Sequence, residues 1–419
     1  MKDAEADNRR LGPSGRVLLI STVTFTIFFA VWVMFAIVGI PLRDELDLSA
    51  GQFALLLAVP ILAGSVLRVP IGMLTDRFGG KHVMVWLLIA TAIPTLAVSY
   101  VDGYWAILAL SFFVGLAGTS FAVGVAWVSV WFPAERQGVA LGTFGAGNVG
   151  ASITKLLAPT LVTLVAAGGL LGGLIPGEWR FVPFIYGIAL LVTAVWVWFA
   201  SPQGDPKPAH GRTLAEMSRP LGVLRVWRFG LYYVVVFGAY VALSLWLPKY
   251  YVDVYDQSLV TAGVLTALFI FPASLLRPVG GWLSDLFGAR RVTFAAFTGI
   301  GLGSVVLFFP VSIAPFTAVI VLIGFAMGIG KASVYKYVPD YFPNDVGAAG
   351  GLVGAIGGLG GFFLPLMFTA ALKITGNPES TFYVLFAFVA VSIAWLAYVV
   401  HDLHLHEHEI HGAEREVTQ

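Results

Sequence analysis

Twelve apolar runs, each long enough to cross a bilayer, leave this chain very few ways to fold. A span needs about 20 mostly apolar residues, and such runs lie near 17–40, 51–75, 82–100, 104–131, 138–166, 180–200, 227–250, 259–283, 292–310, 314–337, 347–373 and 380–400. In hydrocarbon every backbone N–H and C=O must be satisfied internally, so these runs predict α-helices. The expected fold class is an all-α membrane protein with twelve transmembrane helices, lying in the lipid bilayer. Composition agrees: 58% hydrophobic and only 11% charged residues are far from a soluble domain. Lys2, Arg9, Arg10 and Arg16 precede the first run as they would in a signal peptide. That run is too long and no small-residue cleavage site follows it, so it reads as the first helix.

The runs are arranged as a repeat. Residues 66–83, VLRVPIGMLTDRFGGKHV, return 209 positions later as LLRPVGGWLSDLFGARRV, with Arg277 on Arg68, Gly281 on Gly72, Asp285 on Asp76 and Gly288 on Gly79. Trp131-Phe132-Pro133 likewise returns as Tyr341-Phe342-Pro343, and a Gly-rich helix follows each copy. The stretch SPQGDPKPAHGRTLAEMSRPLGVLR, starting at Ser201, is polar, Pro-rich and basic, and separates six spans from six. The expected organisation is a six-helix bundle over 1–200, a linker over 201–226, a second bundle over 227–400 and a His/Glu-rich tail over 401–419, the bundles related by a pseudo-two-fold axis. Parallel six-span repeats with a central site at their interface are the plan of a rocking secondary transporter.

Orientation follows from the positive charges. Most of the 24 Lys and Arg fall in the tails and the even-to-odd loops, whereas the opposite loops hold only Arg43, Arg180, Lys249 and Lys373. Both termini are therefore expected on the cytoplasmic side of a cell membrane, with the bacterial inner membrane the expected one. The net charge of +1 comes from short loops with no basic patch, so nucleic acid is not an expected partner. With no cysteine in the chain, thiol chemistry and disulfides are excluded. No nucleophile, metal or phosphate-loop arrangement appears, so neither an enzyme nor a cofactor is expected. The tail, HDLHLHEHEIHGAEREVTQ, could hold a metal but reads more simply as a solvated segment.

Charge inside the spans points to the site. Arg68 and Arg277 each lie eight residues before their loop Asp, which at about 1.5 Å per residue puts them roughly 12 Å into a core about 30 Å thick. An isolated charge at that depth is expensive and usually faces a bundle interior or a water-filled path. Two structural arginines satisfied by carbonyls would be the plainer explanation, but equivalent placement in both halves fits one shared task better. A guanidinium is planar, permanently charged and presents forked donors that match a planar oxyanion. Two facing each other would hold one small anion.

The fifth span begins RQGVALGTFGAGNVGASITKLLAP, and Gly138, Gly142, Gly145, Asn148, Ser152 and Lys155 share an arc of about 140 degrees on the helical wheel. Its glycines permit close helix approach, and Asn148 is level with the arginines. Small-residue packing explains the glycines but does not require Asn148. The eleventh span mirrors it as GAAGGLVGAIGGLGGFFLP, with Gly357 and Gly358 at the same depth. Glycines there are expected to leave a narrow slot for a ligand of few atoms, with Phe121 and Tyr240 as candidate walls. The predicted spans contain no Asp, Glu or His away from the loop motifs, so candidate proton carriers are lysines, which lose charge readily when buried near other cations. Lys331 comes first and Lys155 second; Lys336, closer to the helix end, is expected to snorkel toward water.

These residues carry a resemblance. Gly72-Met-Leu-Thr-Asp76-Arg-Phe-Gly79-Gly-Lys81 and Gly281-Trp-Leu-Ser-Asp285-Leu-Phe-Gly288-Ala-Arg290 resemble the loop motif of the major facilitator superfamily, which implies that fold and implies that Asp76 and Asp285, with Gly72 and Gly281, latch the halves in one state. GTFGAGNVGAS and GGLVGAIGGLGG, with the two arginines, resemble the nitrate motifs of its nitrate/nitrite porter family across essentially the whole chain. The resemblance implies that Arg68 and Arg277 clamp the anion, that Asn148, Gly145, Gly357 and Gly358 line its path, and that a monomer carries nitrate or nitrite. KASVYKYVPDYFP and the surroundings of Lys155 look like the branch that imports nitrate with protons. Nitrate/nitrite exchange and a formate or oxalate carrier are the alternatives.

Overall fold

The computed structural model describes residues 12–417, and within them the chain is helical throughout apart from connecting turns. Among the described residues ten helices are long and apolar enough to cross a membrane: α1 (Pro13–Glu45), α2 (Gly51–Phe78), α3 (Gly80–Val98), α4 (Tyr104–Trp131), α6 (Glu178–Ala200), α7 (Leu224–Tyr255), α8 (Thr261–Phe287), α10 (Ile313–Tyr341), α11 (Val346–Thr375) and α12, whose apolar part is Ser380–His401. The two other expected spans are also helical, α5 over 137–164 and α9 over Ala289–Val306. Their compositions are less apolar, because α5 carries its glycines with Asn148 and Lys155, and α9 opens on Arg290 and Arg291. Helix α12 continues to Val417. The side chains of the His/Glu-rich tail beyond His401, and residues 1–11 with Lys2, Arg9 and Arg10, lie outside the described residues.

Local chemistry sets the ends of the two repeat helices. Ser49 caps α2 in a reciprocal box with Gln52, and Ser258 caps α8 by accepting from the Thr261 N–H. Gly79 and Gly288, at matching positions, close these helices with φ of +88° and +84°, a conformation that a side chain would strain. Inside each helix the regular turn is interrupted at Leu67 and Leu276, immediately before the arginines. Pro70 and Pro278 account for this, since proline supplies no N–H and its ring clashes with the carbonyl four residues back.

Other irregularities cluster at the same level. A 3₁₀ stretch occupies Gly115–Thr119 in α4, another Ala146–Val149 in α5, and a π-helical stretch Val234–Gly238 in α7. Such departures from α geometry often mark functional positions.

The first six helices meet the last six through two equivalent crossings. The Arg68–Phe78 part of α2 packs on α11, and the Arg277–Phe287 part of α8 packs on α5. Gly72 lies against the Gly347 backbone and Gly281 against the Gly138 backbone, so close that a Cβ at any of the four would strike a carbonyl. Between α6 and α7 the linker ties both sides. Asp205 accepts from the Trp127 and Trp131 indoles at 2.7 and 2.9 Å and from the Lys81 N–H at 2.9 Å. Arg212 pairs with Asp345 at 2.7 Å, and a short helix over Leu214–Met217 is capped by Thr213, whose N–H and hydroxyl hold the Glu216 carboxyl below its usual range.

Candidate functional site

Arg68 and Arg277 are each 1% exposed and converge on one aromatic ring. Their guanidinium carbons stand 5.7 and 5.3 Å from the centre of the Phe121 ring, which limits their separation to the sum of those distances. One arginine comes from each half. Arg68 is held firmly: Nε donates to the Gly118 carbonyl at 2.9 Å and Nη1 to the Gly354 carbonyl at 2.5 Å, with Trp32 and Phe237 rings at 5.4 and 5.8 Å. Arg277 is different. Its Nε and Nη1 are buried without a partner among the described residues.

The other polar groups here are also unpaired. Both amide atoms of Asn148 and the hydroxyl of Ser65 are buried without a partner among the described residues, and the buried hydroxyl of Tyr233 has only the Arg277 guanidinium within reach. The charged neighbours of the Tyr233 hydroxyl are Arg277 and Arg68. Leaving one such group unsatisfied costs about 1–3 kcal/mol, more when it is charged. A cluster of orphan donors around an unpartnered guanidinium is the complement of an oxyanion, which would accept from them together.

The glycines do something other than empty a slot. A Cβ on Gly145 would enter the Arg277 guanidinium, and one on Gly142 would meet the Arg277 backbone. A Cβ on Gly358 would lie 3.4 Å from Arg68 Nη1, one on Gly354 3.2 Å from Arg68 Cδ, and one on Gly357 would enter the Tyr233 ring. Each Gly-rich helix therefore makes room for the arginine of the opposite half, and the space expected for ligand is filled by guanidinium and phenol. This close seating is why the arginines reach the interface at all.

Phe121 is the hub of the site's aromatic wall. It stacks on Phe144 and Tyr233 at 5.6 and 6.2 Å and meets Tyr335 edge-on at 4.7 Å. Tyr240 is one layer further out. Its hydroxyl is 3.0 Å from Ser274 Oγ, and it lines a cleft with Trp32, Pro60 and Lys155. Lys331 is 0% exposed behind it, its ammonium 3.0 Å from the Tyr240 ring centre and donating to the Ala273 carbonyl at 2.9 Å. Lys155 is exposed on the cleft wall.

Asp76 and Asp285 lie where the halves touch. Asp76 accepts from the Gly347 and Ala348 N–H groups at 3.0 and 3.2 Å, and Asp285 from Gly138 and Val139 at 2.9 and 2.8 Å. Each carboxylate thus caps the first turn of a helix belonging to the other half, where orphan N–H groups and the helix dipole favour an anion. Lys336 does not snorkel. It is 6% exposed, pairs with Asp285 at 3.0 Å and donates to the Ala134 carbonyl, because an acidic partner from α8 stands closer than water.

Sequence reasoning missed Tyr233, Tyr335, Trp32 and Ser65. Tyr233 stands seven residues before Tyr240 and therefore on the same helical face, a signal that was present. Nothing local marks Ser65 or Trp32.

The family model described as Major Facilitator Superfamily matches residues 20–270 and 256–417. The chain is 53% identical over 400 residues to the "Probable nitrate/nitrite antiporter NarK1" of Thermus thermophilus, covering 91% of this chain and 90% of that protein. It is 31% identical over 376 residues to the "Probable nitrate transporter NarT" of Staphylococcus epidermidis, covering 90% and 94%. Among solved structures, the human organic anion transporter MFSD10 superposes with a TM-score of 0.73, covering 92% of this chain and all of that one, at 14% identity.

Proposed function

The chain belongs to the Major Facilitator Superfamily, a family of transporters and not of enzymes, and from that premise we propose that it imports nitrate together with protons by alternating access around Arg68 and Arg277. The observation that carries this reading is the unpartnered side of the buried pair: Arg277 keeps Nε and Nη1 buried without a partner among the described residues, an arrangement that a bound oxyanion would satisfy. Bulky cargo is disfavoured, because the surrounding space is already taken by Phe121, Tyr233 and Tyr335.

In this reading residues 1–200 and 227–400 are the two moving bodies, 201–226 is their cytoplasmic strap, and a monomer in the bacterial inner membrane is the working unit. Asp76 and Asp285 hold the end bearing the loop motifs shut while the cleft at the other end stays open. An anion entering there meets Lys155 first and then the arginine pair. The anion neutralises the charge that keeps the guanidinium groups apart, so the halves close and the latch side opens. Lys331 is the proposed proton carrier: it has no carboxylate within salt-bridge distance among the described residues, and its ammonium lies against the ring of Tyr240, which lines the cleft.

Exchange of nitrate for nitrite without protons is the second reading, favoured by the name of the Thermus relative. Uptake by purified protein in liposomes separates the two. Proton symport predicts accumulation of nitrate under an inward pH gradient with nothing inside, whereas exchange requires internal nitrite. Formate accumulation equal to that of nitrate would overturn the substrate assignment. Lys331→Met is expected to lower the proton-to-nitrate ratio with nitrate binding largely kept; an unchanged ratio removes Lys331 from the mechanism.

A further inference from the structure

A second cluster of cations lies away from the transport path, at the end of the molecule bearing the loop motifs. Arg225 and Arg228 stand in the first turn of α7, Arg290 in the first turn of α9, and Tyr341 ends α10. With Tyr232 they surround a cavity of about 200 Å³ that α12 closes through Leu396. Arg290 donates to the Tyr341 hydroxyl at 2.7 Å, and the Arg225 guanidinium lies 4.7 Å from the Tyr341 ring centre. No carboxylate among the described residues forms an ion pair with any of the three arginines; Asp340, the acid nearest the mouth, is engaged by Lys336 at 3.6 Å.

Two polar atoms of residues lining this cavity are buried without a partner among the described residues. Arg228 Nε makes no hydrogen bond, and neither does the hydroxyl of Tyr232, a residue that is 0% exposed. Three guanidinium groups with an orphan phenol match a phosphate, which offers several acceptors to forked donors. The cavity also has a neighbour that a free ion would not use. Arg290, Tyr337 and Tyr341 also line a neighbouring recess, and Phe287 and Arg291 are shared by that recess and an apolar groove of about 840 Å³ between α9 and α10, walled by Leu302, Val306 and Leu322. Charge at the helix ends and an apolar channel running along the helices is the layout of a headgroup and its acyl chain at the membrane interface.

We propose that this cavity and groove form a specific site for an anionic phospholipid, its phosphate held by Arg225, Arg228 and Arg290 with Tyr232, and an acyl chain lying between α9 and α10. The site bridges α7, α9, α10 and α12, so an occupant would tie those helices together at the latch end.

The purified full-length protein in detergent is titrated with phosphatidylglycerol, phosphatidylcholine or inorganic phosphate, and retained adducts are read by native mass spectrometry. Phosphatidylglycerol is expected to be retained at least tenfold better than phosphatidylcholine, and Arg225→Gln/Arg228→Gln to erase that preference. Arg43→Gln, an exposed arginine at the other end, is expected to leave it intact. Should the double variant fail to fold, Arg225→Gln alone, at an exposed position, is expected to weaken the preference severalfold. Equal retention of the two lipids, or a preference that survives in the variants, overturns the site. Displacement of the lipid by millimolar inorganic phosphate overturns the lipid assignment in favour of a free oxyanion.

Discussion

Neutralising the two latch carboxylates should have unequal effects, although the repeat makes them look equivalent. Asp285 accepts two backbone N–H bonds and also pairs with Lys336, and both side chains are under 10% exposed. Asp76 accepts two N–H bonds and has no lysine within ion-pair distance among the described residues. Asp76→Asn keeps an acceptor oxygen and loses a charge at a helix N-terminus, about 1–2 kcal/mol, or roughly tenfold in the open-to-closed ratio. Asp285→Asn loses the same and leaves Lys336 buried beside only Asp340 at 3.6 Å. Breaking a buried pair costs about 3–5 kcal/mol; with Asp340 as partial compensation the lower end covers the whole change, roughly a hundredfold in total against tenfold for Asp76→Asn. The chain has no cysteine, so Val346→Cys, a buried position between the halves, gives a clean reporter. Its labelling rate should rise about ten times more in Asp285→Asn than in Asp76→Asn, and Lys336→Met should recover part of the difference. Equal rates in the two variants, or the reverse order, would refute the assignment of the extra stability to the Lys336 pair.

Three further outcomes concern the anion site. Arg277→Lys or Arg68→Lys should reduce nitrate uptake to near background in liposomes, because a point charge cannot reproduce the planar fork; normal uptake in either folded variant would remove the clamp. Gly145→Ala puts a methyl into the Arg277 guanidinium and should weaken nitrate binding at least tenfold by calorimetry with Val346→Cys labelling unchanged. Tyr233→Phe deletes one orphan donor and should raise the nitrate Kd about tenfold, the worth of one charge-assisted bond; an unaltered Kd would mean that the hydroxyl does not face the anion.

The helices and the repeat were legible in the linear chain, because bilayer thickness and the rule that no backbone group go unpaired in lipid convert apolar run length directly into spans. The recurrence of an Asp at a fixed offset from a helix-ending glycine was legible too, and its proposed role as a latch came from the family resemblance. What the glycines are for was not. Their spacing shows one face with room beside it, but only the crossing of α5 on α8 and of α11 on α2 decides that the room is taken by Arg277, Arg68 and Tyr233.

Lys336 makes the same point. Its position near a helix end suggested escape to water, whereas its partner Asp285 lies 51 residues earlier on another helix, and no local pattern encodes that meeting. Sequence by itself determined which stretches form the long apolar helices and which charged groups fall within them, since one-dimensional periodicity and hydropathy suffice for that. Which of those groups are satisfied by the protein and which remain open to a ligand was decided only by tertiary packing. Hydrogen-bond partnership depends on contacts between helices hundreds of residues apart, such as Arg68 with Gly354.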